Sequence, residues 1–152
     1  MPRTATLDDA DVATAARLLW DFNEEYGDPA PPLEDLTARL GELMASGETA
    51  VALADDDLGV AVLRLRPNLW SDALEAYLAE LYVVPTRRGQ GLGRALLAHT
   101  LDLARSLGAD RIELGTSEDD VAARRLYTKM GFTRHEGTRP EDPLMFVYER
   151  EL

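Results

Sequence analysis

The sequence predicts an α/β fold, α+β in its finer class, that forms one domain over residues 1–152. A length of 152 residues suffices for one domain with a substantial core. Apolar residues recur at helical spacing in some segments and concentrate in short β-rich runs in others. A β-rich run, a glycine-rich loop and an amphipathic helix follow one another over residues 81–107. The predicted order of elements is β, α, α, β, β, β, α, β, α, β, β.

The N-terminal part of the chain predicts two helices. Asp8 or Asp9 can cap a helix that runs to about Tyr26, because an aspartate side chain accepts hydrogen bonds from the unpaired N–H groups of a first turn. Prolines then interrupt the chain. Leucines at helical spacing predict a second helix over residues 33–45.

Three adjacent aspartates, residues 55–57, separate two predicted strands over residues 49–54 and 58–66. Adjacent carboxylates could hold a metal ion. A calcium loop of the EF-hand type, however, needs alternating acids, a glycine at its sixth position and a final glutamate. The aspartates therefore predict a hairpin turn, and we predict no metal site.

The C-terminal part predicts further strands around two helices. In chain order these are a central strand over residues 76–84, a helix over residues 92–107 followed by Gly108, a strand over residues 112–116, a helix from Asp119 or Asp120 to about Met130, a strand after Phe132 and a last strand over residues 144–150.

The loop between the central strand and its helix predicts a bound anion. Glycines alternate at positions 89, 91 and 93, where the backbone can approach a ligand closely and the first helical turn offers unpaired N–H groups. The whole chain carries 28 acidic and 16 basic residues, a net charge of −12. No acid lies between Glu80 and Asp102, whereas Arg87, Arg88 and Arg94 do. A tight turn without a ligand is the alternative, but the local positive charge favours an anion.

The spacing of this loop separates it from two common phosphate-binding motifs. A P-loop needs a Gly-Lys pair, which the chain lacks. A dinucleotide-binding loop needs a G-x-G-x-x-G spacing near the first strand, whereas this loop reads G-x-G-x-G and lies past mid-chain. A third pattern fits: Arg or Gln, two residues, Gly, one residue, then Gly or Ala. Arg88, Gly91 and Gly93 match it.

With this loop, the chain resembles the GNAT superfamily of acetyl-CoA-dependent N-acetyltransferases. A second segment agrees: a strand followed by N-x-x-A-x-x-x-Y-x-x-x-G-F, matched by Ala123, Tyr127, Gly131 and Phe132, with Asp120 where Asn is usual. The resemblance implies a mixed, mostly antiparallel sheet of six to seven strands, helices on both faces and a splayed central strand pair.

The resemblance also implies where acetyl-CoA binds. The pyrophosphate would lie on the loop and the pantetheine arm along the central strand. The implied cofactor residues are Leu81, Tyr82, Val83, Arg88, Gly89, Gln90, Gly91, Leu92, Gly93, Arg94, Asp120, Ala123 and Tyr127. Transfer would be direct, through a ternary complex.

Two side chains are candidates for proton transfer. Tyr127 matches the family tyrosine that points at the sulfur, where a phenol can protonate a departing thiolate; the alternative is a packing role. Glu80 is the candidate base, with Glu75 and Tyr77 in reserve. Some members carry a glutamate one residue earlier, where this chain has Ala79. Alternation places positions 79 and 80 on opposite faces unless a bulge intervenes.

The acceptor is predicted to be a small cationic amine, such as a polyamine, an amino sugar or an amino-acid derivative. The acceptor site of the family is built from the first helix, the loop after it and the loop before the central strand. Aromatic rings and carboxylates in these segments suit a cation. They are Trp20, Phe22, Glu24, Glu25, Tyr26, Asp28, Trp70, Ser71 and Asp72, with Tyr77 on the strand. A protein N-terminal or lysine acetyltransferase and a non-catalytic CoA-binding module are the alternatives.

Bulk properties exclude several other functions. Without cysteine, the chain has no disulfide, no thiol catalysis and no Cys-ligated zinc. A net charge of −12 argues against nucleic acid as a partner. No apolar run is long enough for a membrane span, so we predict a cytoplasmic protein with no membrane partner. A homodimer is also expected.

Overall fold

The fold is built on a five-stranded mixed sheet in the order β1-β2-β3-β4-β5. The structure, a computed structural model, describes all residues from Met1 to Leu152 in two units, Met1–Leu114 and Gly115–Leu152. The strands of the first unit are β1 (Arg3–Thr4), β2 (Thr49–Leu53), β3 (Gly59–Pro67), β4 (Leu74–Val83) and β5 (Ala109–Glu113). Its helices are α1 (Asp9–Tyr26), α2 (Leu33–Ala45) and α3 (Leu92–Ser106); α4 (Val121–Lys129) lies in the second unit. The predicted α/β class is confirmed, whereas one domain over residues 1–152 stays a prediction.

The ends of α1 follow from its sequence. The Asp8 side chain accepts a hydrogen bond from the Ala10 N–H at 3.0 Å, which satisfies one of the unpaired donors of the first turn. At the other end Gly27 adopts φ 68, a left-handed conformation in which its N–H reaches the carbonyls of Asn23 and Glu24. Hydrogen bonds therefore fix both ends of α1. Its C-terminal end, at Tyr26, lies beside the candidate site.

The predicted hairpin turn between β2 and β3 is confirmed. Asp55–Asp57 form a short 3₁₀ turn in which Asp56 and Asp57 both have φ 55. Aspartate tolerates this conformation better than most residues. The carboxylates face cations of the chain itself: Asp55 pairs with the N-terminal amine, and Asp57 with Arg3 at 3.0 Å.

Helices cover both faces of this sheet. One core cluster joins α1 and α2 to alternate residues of the strands, which are Val51, Leu53, Val60, Val62 and Tyr82. The intervening strand residues, Ala61, Leu63, Leu65, Ala76 and Leu78, are also buried but point to the opposite face. There α3 contributes Leu96, Leu97, Thr100 and Ala104. None of the helices is both long and apolar enough to cross a membrane.

Two strands differ by two residues or more from their predicted bounds, and two further predicted strands are absent. β4 begins at Leu74 rather than at residue 76. β5 occupies Ala109–Glu113 rather than residues 112–116, because Gly108, at φ 96, turns the chain directly from α3 into the strand. Neither strand expected after α4 forms, so the sheet has five strands rather than six to seven.

In the second unit the segment expected to form these last strands makes one isolated bridge, between His135 and Leu144. A strand needs a continuous ladder of hydrogen-bonded partners. The Met145 N–H donates to the Arg134 carbonyl, but the backbone after Met145 makes no further backbone hydrogen bond. The alternating apolar side chains there stay largely exposed; Phe146 is 73% and Tyr148 90% accessible.

Candidate functional site

A β-bulge in β4 puts Glu80 on the helix-covered face used by α1 and α2. Val62 of β3 pairs with Glu80, but Leu63 pairs with Leu78, so Ala79 is an extra residue. Cross-strand partners share a face, which places Glu80 beside Val62. Ala79 also packs against the cluster that contains Val62. The bulge therefore brings positions 79 and 80 to one face, against simple strand alternation.

The second half of β4 has no partner on its β5 side. β5 pairs with β4 only from Leu74 to Tyr77 and ends at Glu113. Residues 78–83 therefore present a free strand edge, which we call the open edge. This is the splay predicted for the central strand pair, and an extended ligand could add to it as a further strand.

Backbone groups of Leu81 and Val83 point to the open edge. Val84 donates its N–H to the carbonyl of Leu58, on the β3 side, at 3.0 Å. In an antiparallel pair alternate residues turn their N–H and C=O groups toward and away from the partner strand. Val83 and Leu81 therefore turn theirs away from β3, and the Val83 carbonyl accepts a hydrogen bond from the Arg88 side chain instead.

The glycine loop presents a continuous run of free backbone donors. No N–H from Gly89 to Arg94 donates to an acceptor within the protein; the first that does is Ala95, to the Gly91 carbonyl at 3.0 Å. Gly89 and Gly91 have φ 74 and φ 85, which glycine adopts without strain. A Cβ on either would meet no atom within 4 Å, so the space before the loop is open. Six free N–H groups, one for each residue from 89 to 94 (94 − 88 = 6), at a helix N-terminus suit a phosphate group.

A cavity of about 170 Å³ lies beside this loop, but it does not suit an anion. It is lined by Gln90, Gly91 and Leu92 together with Pro2, Ala54, Asp55 and Ala95. Its lining contains no cationic side chain, and its one charged side chain is the carboxylate of Asp55, which pairs with the N-terminal amine. The open space before Gly89 and Gly91 is the better anion surface.

The three arginines of this region have different partners. Arg94, in the first turn of α3, forms no ion pair or side-chain hydrogen bond and stays exposed. Arg87 donates to the Gln90 side chain at 3.1 Å. Arg88 turns away from the loop, and its Nε donates to the Val83 carbonyl at 2.9 Å. Arg94 is thus the arginine of this region whose side chain has no partner in the protein.

The Arg88 side chain reaches the end of α1. Its terminal nitrogen pairs with the Glu25 carboxylate at 2.9 Å, and the guanidinium carbon lies 5.6 Å from the centre of the Tyr82 ring. Tyr82 in turn stacks on Phe22 at 5.0 Å, and Phe22 makes an edge contact with Tyr26 at 5.3 Å. The side chains of Arg88, Glu25, Tyr82, Phe22 and Tyr26 thus join α1 to the end of β4.

The Glu80 side chain is exposed at the surface of β4, yet its surroundings disfavour the charged form. Burial raises the pKa of its carboxyl above the ordinary range, and the charge of Asp28 raises it further. A raised pKa brings the carboxylate nearer to the basicity needed to accept a proton at neutral pH. Asp28 follows α1, and its N–H donates to the Asn23 carbonyl at 3.0 Å.

In the second unit, α4 positions the predicted tyrosine. The Asp120 side chain caps α4 by accepting from the Ala123 N–H at 3.1 Å, so aspartate fills the capping role open to asparagine. Tyr127 is half-buried and packs edge-on against Phe132, with ring centres 5.7 Å apart. Burial, with a smaller contribution from Asp120, raises the pKa of the phenol and keeps it protonated at neutral pH.

The structure brings only part of the predicted acceptor wall together. Trp20, Glu24 and Tyr26 lie in the last turns of α1, on the helix that contacts Tyr82. Trp70 and Asp72 precede β4, whose ten residues span about 30 Å, so they lie at the far end of this strand from the glycine loop. Trp70 is 89% exposed there. Tyr77, within β4, pairs with Glu113 of β5.

Sequence reasoning missed the separate roles of Glu25 and Asp28. The sequence predicts both only as possible acceptor ligands. The structure instead couples Glu25 to Arg88 and Asp28 to Glu80. Charge and sequence position alone could not reveal the ion pair of Glu25 with Arg88 or the repulsion between Asp28 and Glu80, because each joins residues more than 50 positions apart.

Comparisons with known proteins show the family of the chain. Residues 13–132 match the acetyltransferase (GNAT) family. A mycothiol acetyltransferase of Beutenbergia cavernae is 37% identical over 107 residues, which cover 68% of this chain and 35% of that protein. The chain thus spans about a third of the length of this curated relative.

Two further proteins match over most of their length. An aminoglycoside N(6')-acetyltransferase type 1 of Stenotrophomonas maltophilia is 32% identical over 138 residues, which cover 88% of this chain and 86% of that protein. A crystal structure from Arthrobacter sp. FB24, provisionally named an acetyltransferase, has a TM-score of 0.87 and 45% identity. That match covers 100% of this chain and 96% of the other.

Proposed function

The chain belongs to the acetyltransferase (GNAT) family, and on that premise we propose that it transfers an acetyl group from acetyl-CoA to a primary amine. The observation that carries the proposal is the run of free N–H groups from Gly89 to Arg94, directly after the open edge of β4. One surface offers donors for a phosphate and the next offers a strand edge for an amide-containing arm.

The residues present fit acetyl-CoA. The backbone of Gly89, Gln90, Gly91, Leu92 and Gly93, with the free cation of Arg94, would hold the pyrophosphate. The outward backbone groups of Leu81 and Val83 would pair with the amides of the pantetheine arm, beside Tyr82. Bound in this way, acetyl-CoA supplies the acetyl thioester. Asp120 and Ala123 are proposed as further contacts through the start of α4.

Two side chains would move the protons. Glu80, with its raised pKa, takes the proton of the attacking amine directly or through a water. Tyr127, whose raised pKa keeps the phenol protonated, gives a proton to the departing thiolate. We propose that the acetyl group passes directly between the two substrates in a ternary complex, as the family resemblance implies; without cysteine, the chain offers no thiol to carry it.

We propose that the acceptor is a small cationic amine. The carboxylates of Glu24, Asp28 and Glu80 lie on or beside the α1 side of the sheet, with the aromatic rings of Trp20 and Tyr26 on α1 itself. Carboxylates and rings together attract cations. One amine must lose its proton to attack, so an acceptor with a second, retained positive charge gains most. The aminoglycoside acetyltransferase among the relatives supports an amino sugar.

The test is the release of free thiol from acetyl-CoA in the presence of an amine panel. Diamines, polyamines and amino sugars should have a higher kcat/KM than monoamines of equal size. This advantage should shrink as the salt concentration rises toward about 1 M, because salt screens exposed charges. Preference for peptides would favour protein acetylation instead, and CoA binding without thiol release would favour a non-catalytic module. A cytoplasmic location and a homodimer stay predictions.

A further inference from the structure

We propose that Arg88 is a positioning residue: its guanidinium ties the end of α1 to the open edge of β4 and does not bind the phosphate groups. The inference rests on the proposed function, since it assigns the cofactor surface to the neighbouring residues. It divides the positive charge of the loop into a structural part, Arg88, and a ligand-binding part, Arg94.

Arg88 is held at three points on the α1 side of the sheet. Its Nε donates to the Val83 carbonyl at 2.9 Å, and its terminal nitrogen pairs with Glu25 at 2.9 Å. The guanidinium also lies over the Tyr82 ring, which is only 5% exposed. Together these contacts fix both the direction and the plane of the guanidinium.

The charge of Arg88 is already neutralised. The Glu25 side chain is 26% exposed and that of Arg88 42%, so the pair is partly shielded from solvent. To reach a phosphate before the loop, Arg88 would have to leave the carboxylate, the carbonyl and the ring. Arg94 has no such partners and lies in the first turn of α3, where the free N–H groups are. Phosphate binding therefore falls to Arg94 and the backbone.

The position of Arg88 has consequences for both substrates. Its bond to Val83 fixes the orientation of a carbonyl on the open edge, next to the groups that would receive the pantetheine arm. Its bond to Glu25 holds the last turn of α1 against β4 and engages one oxygen of this carboxylate in an ion pair. Glu24 and Asp28 are then the acidic groups of this segment that remain available to an acceptor.

Two measurements on Arg88→Gln, Glu25→Gln, the double variant and the control Arg94→Gln test the proposal. The first is calorimetric titration with CoA. Arg94→Gln should weaken CoA binding by about tenfold, the equivalent of one charged hydrogen bond. Arg88→Gln and Glu25→Gln should each change it by no more than about threefold, in the same direction, with no further change in the double variant.

The second measurement is hydrogen exchange of the backbone amides over residues 22–28. Exchange should accelerate to a similar extent in Arg88→Gln and Glu25→Gln and stay unchanged in Arg94→Gln, because only the first two lose the tie to α1.

The proposal is overturned if Arg88→Gln weakens CoA binding as much as Arg94→Gln while Glu25→Gln strengthens it. That pattern would mean that Glu25 restrains a phosphate ligand. Equal exchange rates in all variants would also overturn it. Failure of the wild-type chain to bind CoA would contradict the proposed function instead, and the exchange data would still decide whether Arg88 holds α1.

Discussion

Glu80 lies directly across from Val62, although Leu63, the next residue of β3, pairs with Leu78. The extra residue, Ala79, turns the Glu80 side chain toward the side of the sheet that α1 covers. Without this bulge a single register would have directed Glu80 to the α3 face. The candidate base thus owes its position to one irregular residue of the strand, at the point where pairing with β5 has ended.

Replacement of Glu80 by Gln should remove the acidic limb of the pH profile. Because burial and Asp28 raise the pKa of Glu80, kcat/KM of the wild type should rise with pH through a limb above the ordinary carboxyl range. The variant should be slower by about 100-fold above this limb and should differ least from the wild type below it, where Glu80 is protonated. Pre-steady-state and steady-state rates across pH provide the measurement. An unchanged limb in the variant would assign the base to another group.

Replacement of Asp28 by Asn should shift the same limb to lower pH. The substitution removes a negative charge that raises the pKa of Glu80, so the carboxylate ionises more readily. Burial is the larger cause and remains, so the limb should stay above the ordinary carboxyl range. Glu24→Gln is the matched control, since that carboxylate does not contribute to the raised pKa of Glu80. Equal shifts in both variants would indicate a general field effect.

Replacement of Tyr127 by Phe should lower kcat by about 100-fold if the phenol protonates the leaving thiolate. The ring contact with Phe132 is kept, so the stability of the fold should change little. Affinity for acetyl-CoA should also be nearly retained. Substrates with a more acidic thiol need less help from the acid, so such a donor should restore part of the rate. Wild-type turnover in the Phe variant would reduce Tyr127 to a packing residue.

Two glycine substitutions should change stability in opposite directions. A Cβ on Gly59 would lie 2.8 Å from the Tyr82 carbonyl oxygen and 3.1 Å from the Ala54 Cβ, so Gly59→Ala should destabilise the fold by about 1–3 kcal/mol. A Cβ on Gly41, within α2, would make an ordinary contact with Val12 at 3.6 Å. Gly41→Ala should therefore stabilise the fold by about 0.5–1 kcal/mol through helix propensity. Urea denaturation measures both, and equal effects would show that the space around Gly59 can expand.

Local sequence signals predicted most of the fold. Asp8 and Gly27 fix α1 by capping chemistry, and leucine spacing gave the bounds of α2. The prediction of two last strands is wrong because apolar alternation, as in Phe146 and Tyr148, forms a strand only with a ladder partner, which the local sequence does not reveal. The predicted start of β5 is wrong because Asp110 and Arg111 are polar, although Arg111 pairs with Glu75 of β4.

For the candidate site too, local sequence signals predicted some features, whereas contacts between distant segments could not be predicted. The loop from Gly89 to Arg94 was predicted because its donors and glycines are contiguous. The bulge at Ala79 and the pairing of Arg88 with Glu25 depend on contacts between distant segments, which composition and spacing do not contain. Trp70 has the aromatic ring expected of an acceptor residue. It precedes β4, however, and so lies at the opposite end of this strand from Tyr82, which contacts α1.

The loop itself provides the sharpest test of cofactor binding, because Gly91 allows an isosteric comparison. Gly91 has φ 85, which both Asn and Asp tolerate better than other residues, and a side chain there would extend into open space before the free N–H groups. Gly91→Asn should weaken CoA binding through bulk alone. Gly91→Asp has nearly the same shape but adds a negative charge opposite the pyrophosphate, so it should bind CoA at least about tenfold more weakly than the Asn variant. The difference between the two should shrink as salt screens the repulsion. Calorimetry on both variants at low and high salt makes the measurement, with chemical denaturation as the check that both are folded. Equal affinities in the two variants would place the phosphate away from this loop and would remove the main support for the proposed cofactor site.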